Sequence, residues 1–281
     1  MKLQYTYGPL RLCFLIVLSL AMSALMGCQD REVSMSIVSV KPFDIETCDV
    51  IDDDNVFQVS GVVDLAMRQT YRANLLLENN LVDVPNAKGL RPADTRLSLN
   101  AIALNSAVIE YSTLDQLSTG IPSRRIVPLS GTIPEESALT LANFELFSQD
   151  VLQQVRNAEE FFSVNNGEVV PSRTAVTILA RVRIKGRTLD GRDAESNEFL
   201  FPVEVCNGCR VIYPSEMIVQ RGGQLACPPP MSNADGDNST SNSELCEALL
   251  GSDESFVDCQ TCQGLAVDSF ARQLCQPPRI P

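Results

Sequence analysis

Two Cys-x-x-Cys pairs are the residues of this chain whose types and spacing could do chemistry: Cys206-Asn-Gly-Cys209 and Cys259-Gln-Thr-Cys262. Four thiolates at such spacing can hold a zinc ion. A single pair at the start of a helix can exchange disulfides with another protein, whereas in an oxidising compartment the same pairs form structural disulfides. Because Cys206 follows a strand-like run and enters an Asn-Gly turn, its surroundings favour a structural disulfide.

The first 28 residues indicate the compartment. Lys2 and Arg11 precede an apolar run at residues 12–22, which is the arrangement of a secretory signal peptide. The tetrad Leu-Met-Gly-Cys follows at residues 25–28 and resembles the lipobox of bacterial lipoproteins. The resemblance implies cleavage before Cys28, which would then carry acyl chains such as palmitate. The alternative is an ordinary signal peptide in which Cys28 is incidental.

A lipid on Cys28 would hold the protein on a membrane of the cell envelope, with residues 28–32 as a tether. Gln29 rather than an acid follows the cysteine, which in lipoproteins of Gram-negative bacteria favours the outer membrane. Loss of residues 1–27 removes two basic residues and no acid, so the net charge changes from −13 to −15. Nucleic acid is therefore excluded as a partner, because phosphate binding requires a basic surface.

Eight cysteines remain once Cys13 leaves with the signal peptide and Cys28 takes the lipid. An even number in an exported chain predicts disulfides throughout, with the pairing left open. These cysteines are Cys48, Cys206, Cys209, Cys227, Cys246, Cys259, Cys262 and Cys275. Because all but Cys48 lie at 206–275, complete pairing requires Cys48 to bond to a cysteine of the tail.

Between Cys227 and Cys246, a loop at about 228–243 is rich in Ser, Asn and Asp. Six oxygen-bearing residues there have the spacing of a twelve-residue calcium loop: Asn233, Asp235, Asp237, Ser239, Ser241 and Glu244. Asn238 stands where calcium loops need glycine, and three prolines lie shortly before Asn233, where a helix should enter the calcium loop. An acidic linker is the competing interpretation, and no other cofactor is predicted.

Histidine is absent from the chain, which excludes many mechanisms. A Ser-His-Asp or Cys-His pair, an HExxH zinc site and an imidazole acid or base cannot be built without it. Paired carboxylates remain available for hydrolysis, but no pattern selects two of the 35 acids.

The elements that would position these residues are mostly strands. Alternating or continuous apolar runs predict strands near 33–37, 56–67, 71–77, 97–109, 125–132, 176–184 and 199–205. Gly61 interrupts the second run and predicts a bend or bulge. Asp190-Gly191 predicts a two-residue type I′ turn between the last two strands. That turn would place Val182 opposite Phe199 and Val176 opposite Val205.

Helices are expected to be few and short. Ser148 begins a segment whose apolar side consists of Val151, Leu152 and Val155, and the helix is predicted to run to about Ala158. In the tail, residues 243–250 and about 265–274 are predicted to be short helices held by disulfides.

The chain is therefore predicted to be mainly β. We expect an immunoglobulin-like antiparallel sandwich with one short helix at 33–205, followed by a cysteine-rich region at 206–281 with the mobile loop at about 228–243. The resemblance to immunoglobulin-like sandwiches is one of architecture. Arg181, Arg183 and Lys185 are expected on a solvated strand face, with a basic ligand groove as the alternative.

The expected function is that of a non-enzymatic, lipid-anchored binding, assembly or surface module that meets another envelope or surface protein. A calcium- or small-ligand-binding lipoprotein is the alternative, and a carboxylate-based hydrolase is a third candidate.

Overall fold

The computed structural model describes residues 33–44, 47–82, 99–114, 121–165, 168–221, 224–229, 250–253 and 255–277. From Ser34 onward the chain clusters into one compact unit. Its described strands form two main sheets that pack face to face as a β-sandwich, so the mainly β prediction is confirmed. Among these residues no helix is both long and apolar enough to cross a membrane.

One layer of the sandwich is an antiparallel sheet with the strand order β1-β3-β7. Its strands are β1 (Met35–Lys41), β3 (Tyr71–Asn79) and β7 (Ala138–Phe147). Alternate side chains point to the same face of a strand. Buried residues such as Ile37 and Leu77, which are paired in register, therefore face the second layer together.

The other layer has the strand order β2-β12-β10-β4-β5. Its strands are β2 (Gly61–Asp64), β12 (Phe199–Cys206), β10 (Ala175–Thr188), β4 (Ile102–Thr113) and β5 (Arg124–Pro128). Two short strands extend it: β6 (Thr132–Ile133) pairs with β4, and β11 (Asp193–Glu195) pairs with β10. The sandwich is not wholly antiparallel as predicted, because β2 runs parallel to β12.

The β10–β12 register is as predicted, but the turn that leads to it is not. Val182 lies opposite Phe199 and Val176 opposite Val205. The Gly191 N–H donates to the Thr188 carbonyl, and only Gly191 of the predicted turn pair has a positive φ, +94°. A type I′ turn needs two such residues, so the loop is longer than predicted. An extra residue between β11 and β12 restores the register.

Gly61 begins β2 because a side chain there would collide with Tyr71. A Cβ atom at this position would lie 2.1 Å from the Tyr71 hydroxyl oxygen. The glycine thus permits close approach of two strands, rather than the bend or bulge that the sequence predicts.

Helix α1 (Gln149–Arg156) confirms the helix prediction. Ser148 is its N-cap residue, although its side chain makes no capping hydrogen bond. Val151, Leu152 and Val155 are buried in the sandwich core. A 3₁₀ turn (Glu159–Phe161) then leads into the β8–β9 hairpin, formed by β8 (Phe162–Asn165) and β9 (Glu168–Pro171).

The tail has a second core, in which disulfide cysteines supply much of the buried surface. Its buried members are Ala66, Met67, Val211, Cys227, Leu250, Val257, Cys259, Cys262, Ala271, Leu274 and Cys275. Ala66 and Met67 come from the segment between β2 and β3. The tail therefore packs directly on the sandwich.

Short elements make up the tail. They are β13 (Val211–Ile212), β14 (Val219–Arg221), β15 (Gln224–Ala226), β16 (Val257–Asp258), α2 (Cys259–Leu265) and α3 (Ala271–Leu274). The prediction of one helix at about 265–274 is wrong, because one helix ends at Leu265 and another begins at Ala271. The Asp258 carboxylate accepts hydrogen bonds from the Gln260 and Thr261 amides, and this cap starts α2 earlier than predicted. The predicted helix at 243–250 lies outside the described residues except for Leu250.

Candidate functional site

The two Cys-x-x-Cys pairs have different partners. Cys206 bonds to Cys209, closing the first pair on itself. In the second pair, Cys259 bonds to Cys227 and Cys262 bonds to Cys275. Zinc requires thiolates, so these cysteines do not form one four-thiolate set. Cys48 is also disulfide-bonded, and Cys246, the remaining cysteine of the eight, lies outside the described residues.

Asp64 is a buried carboxylate at the junction of sandwich and tail. One of its oxygens, Oδ1, accepts hydrogen bonds from the amides of Ala66 at 3.0 Å and Gly208 at 2.8 Å. The other, Oδ2, accepts from the Arg210 amide at 2.9 Å. Burial raises the pKa of Asp64, and these amide hydrogen bonds oppose the rise. A single side chain from the end of β2 thus fixes the turn that contains the first cysteine pair.

The disulfide of that turn lies against the same carboxylate. An Asp64 oxygen and the Sγ atoms of Cys206 and Cys209 all lie within 4.8 Å of one another. Cys206 is fully buried and Cys209 is exposed. The three side chains could hold a metal ion only after reduction, because the thiolate rather than a disulfide sulfur is the metal ligand.

A second carboxylate, Asp253, joins the tail to the edge of the sandwich. Its Oδ1 atom accepts hydrogen bonds from the Val62 amide at 3.1 Å and the Tyr71 hydroxyl at 2.9 Å. Burial raises the pKa of Asp253 against the lowering effect of these donors. Neither Asp64 nor Asp253 lines the 170 Å³ cavity that lies nearby.

That cavity lies between α1 and the tail. It is lined by Leu65, Arg68, Gln69, Gln149, Leu152, Gln153, Arg156, Val267 and Asp268. Arg156 and Asp268 form an ion pair across it, with nitrogen and oxygen 2.6 Å apart. Arg68 donates to the Leu250 carbonyl at 2.7 Å. These two contacts join the tail to the sandwich, and they use the charged side chains of Arg68, Arg156 and Asp268 that line the cavity.

The β8–β9 hairpin presents an apolar surface next to this junction. Val164 and Val169 lie directly opposite each other on its two strands. Their side chains are 73% and 57% exposed. In the part of the chain that is described, the hairpin pairs with no other strand. An isolated hairpin is marginal in water, so packing at its base stabilises it, and Phe162 packs against the sandwich core there.

The base of the hairpin is joined to the tail by three side chains. The Phe162 ring packs on Phe270, with centroids 5.4 Å apart. Just after β9, Arg173 Nη2 donates to the carbonyls of Leu274 at 2.7 Å and Gln276 at 2.5 Å. Asn207, from the turn that Asp64 fixes, donates through Nδ2 to the Ser172 carbonyl at 3.0 Å. The disulfide-rich tail therefore supports the exposed hairpin.

The arginines on the outer face of β10 are paired with acids. Arg181 lies 3.1 Å from a Glu198 oxygen, and Arg183 lies 3.1 Å from Glu110 and 3.9 Å from Glu195. These pairs neutralise the face and leave no basic groove at the two arginines. Lys185 is exposed, as a solvated strand face requires.

Two sequence-predicted sites lie outside the described residues. They are Cys28, with the whole signal segment, and the calcium-loop candidates at 233–244. The sequence reasoning in turn missed Asp64, Asp253, Tyr71 and Arg173. Asp64 had a usable signal, because it is the one charged residue in the apolar run from Val62 to Met67. Asp253 and Arg173 stand in polar surroundings and had none.

No protein-family model, no curated protein and no solved structure matches the chain.

Proposed function

We propose that this chain is a lipid-anchored protein of the cell envelope that acts without catalysis, by binding a partner protein through the β8–β9 hairpin. The observation that carries the proposal is the pair of opposed, exposed valines, Val164 and Val169. Burial of two such side chains is favourable by about 25 cal/mol per Å² of apolar surface. Among the described residues neither strand of the hairpin pairs with a third strand, and a partner strand could add there.

The net charge of the chain favours a partner protein whose surface is basic. The chain from Cys28 onward has a net charge of −15, so an encounter with a basic surface is accelerated and one with an acidic surface is slowed. The partner that fits is a protein with an apolar groove inside a basic rim. The lipobox-like tetrad at residues 25–28 supports an anchor at Cys28, and several acyl chains there would keep the protein stably at a membrane surface.

The binding surface is tested by cross-linking in native envelopes. Val164→Asp combined with Val169→Asp should abolish a cross-linked partner that the unchanged chain captures, because buried charge at the contact is costly. Ile126→Asp is the matched control, since Ile126 is 61% exposed on β5 and should retain the partner. Retention of the cross-linked partner by the double valine variant would reject the hairpin as the contact.

The anchor is tested separately by mass spectrometry and detergent partitioning. Cys28→Ser should yield an unlipidated chain that is uncut or miscut and that leaves the detergent phase. A variant with native mass and native partitioning would disprove lipidation at Cys28.

A further inference from the structure

The Cys206–Cys209 disulfide differs from the two other described disulfides in exposure. Cys209 is exposed, as is the disulfide-bonded Cys48, whereas Cys227, Cys259, Cys262 and Cys275 are buried. Exchange begins when a thiolate attacks one sulfur of a disulfide, so access selects the bond that reacts. With Cys206 fully buried, an attacking thiolate reaches this bond from the Cys209 side.

Of the three disulfides whose two cysteines are both described, the same bond is expected to stabilise the fold least. Its cysteines are three residues apart, against 13 for Cys262–Cys275 and 32 for Cys227–Cys259. A disulfide stabilises less as the loop that it closes becomes shorter. A structural role alone therefore explains this bond less well than it explains the other two.

Hydrogen bonds hold the turn independently of the sulfur–sulfur bond. The Gly208 and Arg210 amides donate to Asp64, and the Asn207 amide donates to the Thr174 carbonyl at 3.0 Å. The Cys206 carbonyl accepts from the Leu65 amide at 2.8 Å. All these contacts can persist when the disulfide opens, so the reduced turn should keep its shape.

Asp64 stands where a proton is needed during opening. Its carboxyl group lies within 4.8 Å of the buried Cys206 sulfur, which is the leaving group when Cys209 is attacked. Burial raises the pKa of this carboxyl, so its acid form persists to higher pH than that of an exposed aspartate. The Arg173 guanidinium opposes the rise, and the Tyr213 hydroxyl is the other titratable group within its electrostatic reach.

We propose that Cys206–Cys209 is an exchangeable disulfide that is transferred to a dithiol of a partner protein. A partner thiolate bonds to Cys209 Sγ, the Cys206–Cys209 bond breaks, and Cys206 Sγ leaves with the electron pair and takes the Asp64 proton. The partner's second thiolate then attacks its own sulfur in the mixed disulfide and releases Cys209, which takes a proton from water. The partner is oxidised to a disulfide, and this chain is reduced to a dithiol. The activity is separate from binding by the β8–β9 hairpin.

The first test treats the purified full chain with limiting dithiothreitol as the dithiol, then alkylates and maps the peptides. Cys206 and Cys209 should be labelled before Cys227, Cys259, Cys262 and Cys275, with the circular dichroism of the folded chain retained. Labelling of the four buried cysteines first, or of all six together with unfolding, would overturn the proposal.

Single cysteine variants test the side of attack. Cys206→Ser leaves Cys209 as a thiol and Cys209→Ser leaves Cys206, so each is the matched control of the other. Cys209 should form a mixed disulfide with oxidised glutathione several-fold faster than Cys206, because exposure controls thiol reactivity. Equal rates in two folded variants would contradict attack at Cys209.

The proton assignment is tested by the pH dependence of opening, expressed per mole of dithiothreitol thiolate. This rate should fall as pH rises through the titration of Asp64, and it should be flat in Asp64→Asn. Superimposable profiles would remove Asp64 as the proton donor. If Asp64→Asn does not fold, the pH profile of the unchanged chain still decides, because a flat profile contradicts the assignment.

Discussion

The Tyr71 hydroxyl donates a hydrogen bond to Asp253 Oδ1 across 182 positions of sequence, with the two oxygens 2.9 Å apart. Tyr71 stands on β3 of the sandwich, and Asp253 belongs to the tail. The same carboxylate oxygen also accepts a hydrogen bond from the Val62 amide. One half-buried acceptor thus holds a strand of each sheet against the tail.

This arrangement predicts an unusual pH dependence for Asp253. Because burial raises its pKa in the folded state, its contribution to stability is greatest below the usual aspartate pKa and is lost as pH rises through the raised value. In Asp253→Asn, the amide oxygen can accept the same hydrogen bonds and does not titrate. The free energy of unfolding of the unchanged chain should therefore improve relative to this variant as pH falls, measured by denaturant titration.

Asp268→Asn is the control for that experiment and should show the opposite slope. Although burial opposes it, the Ala271 amide and the Arg156 guanidinium lower the pKa of Asp268. Its stabilisation is therefore present above the usual aspartate pKa and lost as pH falls through the lowered value. Parallel slopes for the two variants would contradict the assigned surroundings of both acids.

Close packing of Gly61 on Tyr71 predicts that Gly61→Ala destabilises the fold. A Cβ atom at 2.1 Å from the Tyr71 hydroxyl oxygen forces one strand to move, which should cost about 1–3 kcal/mol in the free energy of unfolding. Gly264→Ala is the matched control, because a Cβ there meets nothing within 4 Å. Its substitution in α2 should be neutral or slightly stabilising. Equal effects of the two changes would contradict the close approach.

The hydrogen bonds of Arg173 predict that its replacement loosens the end of α3. Arg173→Ala removes donors to the Leu274 and Gln276 carbonyls, and a cost of about 1 kcal/mol is expected because the side chain is largely exposed. Amide hydrogen exchange at residues 271–277 should become faster. Arg187→Ala, at an arginine 61% exposed on β10, should leave that exchange unchanged. Unchanged exchange in both variants would show that Arg173 does not hold the helix.

Cysteine parity predicts the remaining disulfide. The six other cysteines pair among themselves, and Cys48 is disulfide-bonded. Non-reducing peptide mapping should therefore recover a peptide that links Cys48 to Cys246. Recovery of Cys246 as a free thiol would contradict this pairing.

Patterns that depend on neighbouring residues were predictable from the sequence, and contacts between distant residues were not. Periodicity placed Val182 opposite Phe199 even though the turn at Asp190 was misjudged, because a later extra residue compensated for the longer loop. The buried side of α1 was predicted from its apolar spacing. No local pattern could show that Asp64 accepts amides near Cys209, since those partners lie 144 and 146 positions away.

The two disulfides of helix α2 determine what happens when the tail is cut by a protease. The two cysteines of α2 reach backward to Cys227 and forward to Cys275, so the stretch between Cys227 and Cys259 is a closed ring. A protease that cuts this ring once produces two polypeptides that still migrate as one molecule until a reductant separates them. Cleavage there would leave the C-terminal segment attached to the sandwich, so its release requires both a cut and a change in redox state.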